Sequence, residues 1–117
     1  MSKLSRRKGH DFEREIARRF SIAGRTKVER ELHEVRDGNL GDLRSDLPLS
    51  IQCKVGANPS VWKAVDEAEY AAKGKGLYAI AVVRRNRATG RKKQDLVCMS
   101  LGDFEDILSE LRAGGTW

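Results

Sequence analysis

The segment GDLRSDLPLSIQCKV, residues 41–55, carries the clearest secondary-structure signal in the chain and decides the fold. Its first half is rich in residues that form turns, whereas residues 49–55 alternate between apolar and polar side chains. Alternate residues of a strand point to opposite faces of a sheet, so one face is apolar and the other carries Gln52 and Lys54. We predict a half-buried strand here, with Asp42 in the turn that precedes it.

The rest of the chain places helices and strands around this one. In chain order we predict a helix over residues 9–22, a weak strand within 27–35, the strand at 49–55, a helix over 59–73, a strand at 77–83, a strand at 94–99 and a final helix. The run at 77–83 is apolar throughout, which is typical of a central strand covered on both faces. The predicted fold class is therefore α/β (mixed α+β), a small central mixed sheet flanked by helices.

The pattern also predicts helix caps, buried faces and boundaries. Asn58 is expected to cap the second helix, with Pro59 at its first position, and Ser100 to cap the last helix. The side chains expected to face inward are Val61, Trp62, Val65, Ala68 and Ala72 in the second helix and Phe104, Ile107, Leu108 and Leu111 in the last. The expected divisions are a flexible basic arm over 1–8, a single domain over 9–113 and a tail over 114–117.

Composition narrows the class of function. The chain has 117 residues, 34% of them charged, and a formal net charge of +6 at pH 7. No apolar run approaches the ~20 residues of a membrane span, and the first residues are too charged for a secretory signal. Two cysteines and two histidines form neither a disulfide framework nor a zinc site. We expect a cytoplasmic protein, and the positive charge favours a polyanionic partner such as nucleic acid.

Three polar features are candidates for chemistry. Glu13 lies within the apolar stripe of the first helix, where a carboxylate is costly without a partner. An ion pair with a nearby arginine is the simplest explanation, and a position at a stripe edge that stays solvated is the alternative. Gln52 and Lys54 share a strand face, which is ordinarily just solvated. Asp42 lies in a glycine-flanked turn, where aspartates usually stabilise the turn itself, and Asp46 is a close competitor.

In combination these features resemble the PD-(D/E)XK nuclease superfamily. A helix carboxylate, a turn aspartate and a strand bearing Gln-Cys-Lys follow one another in that family's order. The segment KGHDFEREIARRF, residues 8–20, is similar to the first helix of archaeal-type Holliday junction resolvases, in which a glycine precedes a metal-site glutamate by four residues, as Gly9 precedes Glu13. The segment GDLRSDLPLSIQCK is similar to small phage-encoded nucleases, and the resemblance covers about residues 6–108.

The resemblance implies a restriction-endonuclease-like core and an endonuclease that hydrolyses DNA phosphodiester bonds with Mg²⁺ or Mn²⁺ as cofactor. Asp42 would be its first acidic residue and Gln52 its Asp/Glu position, followed by Lys54 as the lysine. The Cys53 carbonyl would complete the metal shell, and Glu13 would reach the metal from the helix. The implied substrate is duplex or four-way-junction DNA, the assembly is a homodimer, and the setting is recombination or repair in a bacterium or phage-infected cell.

Gln52 departs from the family pattern, which has an acidic residue at this position. An amide oxygen can coordinate a metal ion but brings no negative charge, so metal binding should weaken. Three explanations are open. The glutamine is natural and tolerated because Glu13 and Asp42 supply the charge, or the protein is a nuclease-fold binder with reduced activity, or a glutamate was replaced deliberately to trap a substrate complex.

Basic residues cluster at two places in the chain. Those expected to contact DNA are Arg6, Arg7 and Lys8 before the first helix, and Arg84, Arg85, Arg87, Arg91, Lys92 and Lys93 around the turn after the central strand. Phosphate contacts position a duplex without reading its sequence. We therefore expect strongly salt-dependent, largely sequence-independent binding.

Two other functions stay open beside the nuclease. One is a non-catalytic DNA-binding protein with the same fold, which the neutral Gln52 favours. The other is a small basic RNA-binding or ribosome-associated protein, which predicts that Glu13, Asp42 and Lys54 do not converge in space.

Overall fold

A computed structural model describes residues 3–31, 42–85 and 94–114, with side chains from residue 7 onward. Within these ranges the elements are α1 (Lys3–Gly24), β1 (Val28–Arg30), β2 (Leu43–Ser45), β3 (Leu49–Gly56), α2 (Val61–Ala72), β4 (Tyr78–Arg85), β5 (Gln94–Cys98) and α3 (Leu101–Ala113). The described part of the chain thus has three helices and five strands. No helix in these ranges is long and apolar enough to cross a membrane.

The five strands form one mixed sheet in the order β1-β2-β3-β4-β5. β3 and β4 pair in parallel, while the other neighbouring strands pair antiparallel. A parallel pair needs a crossover connection, and α2 provides it between β3 and β4. This arrangement confirms the predicted mixed α+β class and the central position of β4, which lies between β3 and β5 and is buried from Ala79 to Arg84.

One face of the sheet packs against α1. The main core cluster joins Phe12 and Ile16 of α1 to Ile51 and Val82 of the sheet, and Cys53 is packed against the same cluster. Because Ile51 and Cys53 are on this face, the predicted alternation of β3 is confirmed. Burying this apolar surface is the principal stabilising force for the attachment of α1.

The other face packs against α2 through alanines. Ala64, Ala68, Ala71 and Ala72 are buried, so the helix approaches β3 and β4 closely. The prediction that Trp62 faces inward is wrong, because its side chain is 82% exposed. Trp62 comes two residues before the buried Ala64, and residues two apart point to opposite sides of a helix.

The helix boundaries differ from the prediction at two places. Ser60, not Asn58, caps α2, since its hydroxyl accepts a hydrogen bond from the Lys63 N–H at 3.2 Å. α1 begins at Lys3, so residues 3–8 continue the helix instead of forming an arm. Lysine, leucine and arginine favour helix, and a single glycine lowers helix stability by only about 1 kcal/mol. Residues 1–2 of the predicted arm and 115–117 of the predicted tail lie outside the described ranges.

The predicted cap of α3 is confirmed. The Ser100 hydroxyl accepts a hydrogen bond from the Asp103 N–H at 3.1 Å. The predicted inward face is only partly correct, because Ile107 and Leu108 are half-buried while Phe104 and Leu111 are exposed.

Candidate active site

Asp42 is tied to β3 by both its backbone and its side chain. Its N–H donates to the Ile51 carbonyl at 2.7 Å, and its Oδ2 accepts from the Cys53 N–H at 2.8 Å. Charge-assisted bonds of this kind are stronger than neutral ones and fix the carboxylate in place. The structure therefore holds the Asp42 carboxylate against the middle residue of the Gln52-Cys53-Lys54 segment.

Glu13 lies on the inner side of α1 and is 7% exposed. Its Oε1 accepts from Arg30 Nε at 2.9 Å, so the ion pair that the sequence offered as the simplest explanation is present. Glu13 is also close to Cys53. The pKa of the Cys53 thiol is raised well above its usual value, first by burial and then by the negative charges of Asp42 and Glu13. Cys53 thus lies within electrostatic range of both carboxylates, and the Asp42 carboxylate is bonded to its N–H.

Gln52 and Lys54 lie on the opposite face of β3, the one that α2 covers. The neighbouring Ser50 hydroxyl donates to the Ala68 carbonyl at 3.2 Å, which places this face against α2. Lys54 Nζ lies 3.1 Å from a Glu67 carboxylate oxygen of α2. The structure therefore places the Asp42 carboxylate on the Cys53 N–H and Glu13 on the α1 side of the sheet, whereas Gln52 and Lys54 lie on the α2 side.

Asp46 is separated from this site by the length of β2. Asp42 comes directly before β2, whereas Asp46 comes directly after it and is exposed. It lines a shallow surface pocket with Glu29 and Arg44. Of the two aspartates that the sequence left open, Asp42 is the one that lies beside the Gln-Cys-Lys segment.

Glu31 is a residue of this region that the sequence did not single out. It follows β1, is only 2% exposed, and its N–H donates to the Asp42 carbonyl at 2.9 Å. Its side-chain Oε2 is buried without a hydrogen-bond partner among the described residues. Nothing in the sequence separates it from Glu29, a partly exposed residue of the same short strand, because burial here depends on tertiary packing.

Arg84 is placed where a DNA phosphate cannot reach its guanidinium. It is 8% exposed, donates to Asp95 at 2.7 Å and to Glu15 at 3.0 Å, and stacks 4.6 Å above the Phe12 ring centroid. Hydrogen bonds to Asp95 and Glu15 raise its pKa above an already high value. The predicted DNA contact at Arg84 is therefore corrected to a structural role that joins α1 to β4 and β5.

The other predicted DNA contacts differ in how far they can be placed. Arg7 and Lys8 are exposed on the first turns of α1, and Arg85 is half-buried at the end of β4. The Arg6 side chain lies outside the part of the chain that the structure describes, although its backbone belongs to α1. The other predicted contacts lie wholly outside the described residues: Arg87, Arg91, Lys92 and Lys93.

The atoms around Asp42 fit Mg²⁺ or Mn²⁺ in chemical type. Carboxylate, amide and backbone carbonyl oxygens are the donors that such hard ions prefer, and Mg²⁺ is commonly held by one or two carboxylates together with water. In the described ranges no three His, Cys, Asp or Glu side chains are grouped so as to hold a metal ion. A cation here would thus be bound by only a few carboxylates, and it would compete with Arg30 for the carboxylate of Glu13.

Comparisons with protein-family models, with curated proteins and with solved structures found no match to this chain.

Proposed function

We propose that the chain is a divalent-metal-dependent DNA endonuclease that hydrolyses phosphodiester bonds, with branched or four-way-junction DNA as the preferred substrate class. The observation that carries the proposal is the 2.8 Å bond between the Asp42 carboxylate and the Cys53 N–H. This bond joins the turn aspartate to the Gln-Cys-Lys strand, the two features on which the resemblance to the nuclease superfamily depends. Glu13 adds a second buried carboxylate, whose charge acts on the same Cys53.

Each residue has a role that follows from its chemistry. Asp42 and Glu13 would hold Mg²⁺ or Mn²⁺, with oxygen atoms of Gln52 and Cys53 as neutral donors. In a strand the N–H and carbonyl of one residue point to the same neighbouring strand, so the Cys53 carbonyl is directed to the side of Asp42. When bound, the ion lowers the pKa of a coordinated water and stabilises charge on the phosphate.

Lys54 would act on the substrate from the other side of β3. Its ammonium group is a compact point charge that can orient a water molecule or stabilise a charged phosphate. A Glu67 carboxylate oxygen lies 3.1 Å from this ammonium. Both side chains are more than a third exposed, so the pair is weak and a phosphate can replace Glu67 at little cost.

Exposed basic residues support DNA as the substrate. Arg7 and Lys8 precede Glu13 on α1 by one to two helical turns, about 7–9 Å along the axis. Both are exposed on the helix that carries Glu13, and we propose that they contact the backbone of a duplex bound at Asp42. The formal charge of +6 would assist association with any such polyanion.

A homodimer is part of the proposal. No residue of α3 is buried, and its Leu101, Phe104 and Leu111 are exposed, as are Leu96 and Val97 of the edge strand β5. Exposed large apolar side chains on neighbouring elements of the chain are available for a protein–protein contact. A second copy of the chain, packed two-fold on α3 and β5, would place two sites on the two strands of a junction.

The test uses plasmid, linear duplex and four-way-junction DNA, each with Mg²⁺, with Mn²⁺ and with EDTA. The proposal predicts cleavage that requires the metal and is fastest on the junction. Cleavage that persists in EDTA, or no cleavage of any substrate by a protein that binds DNA, would contradict it.

A non-catalytic DNA-binding protein is the second candidate. It is favoured by two ion pairs, Glu13 with Arg30 and Lys54 with Glu67, together with the neutral Gln52. The variant Gln52→Glu separates the candidates. If the wild-type protein is inert and Gln52→Glu gains both metal affinity and cleavage, the natural chain is the binder. If the wild type already cleaves, the binder is excluded.

A further inference from the structure

Glu31 differs from the other buried polar residues in having an unsatisfied atom. The described part of the chain buries Glu13, Glu31, Ser50 and Arg84. Glu13 is paired with Arg30, the Ser50 hydroxyl donates to a backbone carbonyl, and Arg84 binds two carboxylates. Glu31 Oε2 alone in this set has neither solvent nor a hydrogen-bond partner in the described residues. Burying a carboxylate oxygen in this way is costly unless a cation or proton compensates its charge.

The backbone places Glu31 beside the proposed site. Its N–H bonds the Asp42 carbonyl, which extends the β1–β2 ladder by one residue and sets Glu31 opposite Asp42. Neighbouring strands are about 4.8 Å apart, so two side chains at this pair can bind one cation. Asp42 in turn bonds the β3 backbone at Ile51 and Cys53.

Glu31 also shares a face of the sheet with Gln52. Val28 packs against α1 and Arg30 binds Glu13 of α1, so the alternate residues of β1 point the other way. Gln52 lies on that same face, between Ser50 and Lys54, which both contact α2. Glu31 and Gln52 are thus on one face, on either side of Asp42.

The charge around Asp42 is low without Glu31. Gln52 is neutral, and Arg30 compensates the charge of Glu13 at 2.9 Å. Arg44 feels the negative charge of Glu31 but donates its hydrogen bond to Glu29. A divalent ion beside Asp42 would therefore gain from Glu31 the negative charge of a second carboxylate, which Gln52 does not provide.

We propose that Glu31 is a ligand of the divalent cation and supplies from β1 the negative charge that Gln52 does not supply from β3. This inference rests on the proposed metal-dependent function. It explains why a glutamate is buried with an unsatisfied oxygen next to the candidate catalytic aspartate. It also explains how a Gln-Cys-Lys strand can serve a hard metal ion.

The test measures Mn²⁺ binding by isothermal titration calorimetry, together with melting temperature with and without Mn²⁺, in variants that change one charge each. Glu31→Gln should weaken Mn²⁺ binding at least about tenfold and lose most of the Mn²⁺-dependent rise in melting temperature. Without metal it should be as stable as the wild type or more so, because the uncompensated buried charge is gone. Glu29→Gln on the same strand is the matched control and should bind Mn²⁺ like the wild type.

The double variant Glu31→Gln/Gln52→Glu moves the charge from β1 to β3 and should regain most of the lost affinity. Unchanged Mn²⁺ affinity in Glu31→Gln, while the wild type binds, would overturn this inference and leave the proposed function intact. A Glu31→Gln protein that melts lower without metal and is not rescued by Gln52→Glu would also overturn it, since Glu31 would then be structural. A wild type without saturable Mn²⁺ binding would overturn both proposals.

Discussion

Replacing Arg84 with methionine tests the structural role assigned to its guanidinium. In the folded protein this group is 8% exposed and binds Asp95 at 2.7 Å and Glu15 at 3.0 Å, so a single side chain joins α1, β4 and β5. Methionine keeps the apolar contact with Phe12 but leaves the two carboxylates without their common partner. We therefore expect Arg84→Met to destabilise the fold rather than to weaken DNA binding.

The size of the effect follows from burial. Breaking a buried ion pair costs about 3–5 kcal/mol, whereas an exposed pair is worth about 1 kcal/mol or less. The side chains of Glu15 and Asp95 are 37% and 21% exposed, so we expect about 2–3 kcal/mol. The unfolding entropy of a chain of 117 residues is about 0.25 kcal/mol per degree, so the melting temperature should fall by about 8–12 °C.

Thermal unfolding followed by circular dichroism measures this loss, with DNA affinity measured well below the melting temperature. Arg18→Met, a substitution of an exposed arginine of α1, is the control and should change stability by about 0.5 kcal/mol or less. The reasoning is refuted if Arg84→Met melts within about 2 °C of the wild type and instead loses DNA affinity. That result would return Arg84 to the DNA-binding surface.

Three further predictions follow from charges near single groups. Asp42→Asn should lower the raised pKa of the Cys53 thiol and speed its alkylation at mildly alkaline pH, as measured by peptide mass spectrometry; an unchanged rate would mean that Asp42 does not act on Cys53. A hydrogen bond to Glu110 raises the pKa of Tyr78 to about 12 in the folded protein. Because the ordinary pKa of tyrosine is near 10, Tyr78 stabilises the folded state below pH 10, and this contribution is lost as the pH rises towards 12. Glu110→Gln should move the tyrosinate absorbance transition towards pH 10, and no movement would contradict the bond. Arg7→Gln should reduce the slope of log affinity for DNA against log salt concentration by about 1, whereas an equal slope would exclude a phosphate contact at Arg7.

β3 and β4 could be predicted because each has a sequence pattern that depends on its own residues. The alternation at 49–55 identified β3 and the side of it that packs against α1, and the apolar run at 77–83 identified β4 as central. The expectation of a half-buried β3 was wrong, because α2 covers its other side, and the short strand β2 was not predicted. The Ser100 cap was predictable for the same reason, since it is a local hydrogen bond between neighbours in sequence.

Features that depend on which element packs where could not be predicted in the same way. Trp62 adjoins an apolar helical stripe in sequence, but the sheet accepts only the alanine face of α2. Arg84 belongs to a basic cluster in sequence, but Glu15, 69 residues away, and Asp95 bind it in the fold. Long-range ion pairs of this kind leave no spacing in the sequence.

Some features of the candidate site follow from local sequence patterns, and others depend on long-range packing. The order of Asp42, Gln52 and Lys54 along the chain suggested a site, and the fold places the Asp42 carboxylate on the backbone of that strand. The partner of Glu13 was predictable as an arginine but not as Arg30. Glu31 was missed because a buried glutamate and a partly exposed one, two residues apart, look alike in sequence.

The central claim is that Asp42 is the core of a metal-dependent nuclease site. The most direct measurement compares the cleavage rate of junction DNA with Mg²⁺ for the wild type and Asp42→Asn, with the affinity for the same DNA measured in EDTA. The account predicts metal-dependent cleavage that falls about 100-fold or more in Asp42→Asn, with DNA affinity in EDTA equal to or slightly above that of the wild type. Equal cleavage by the two proteins, or no metal-dependent cleavage by the wild type, would contradict it.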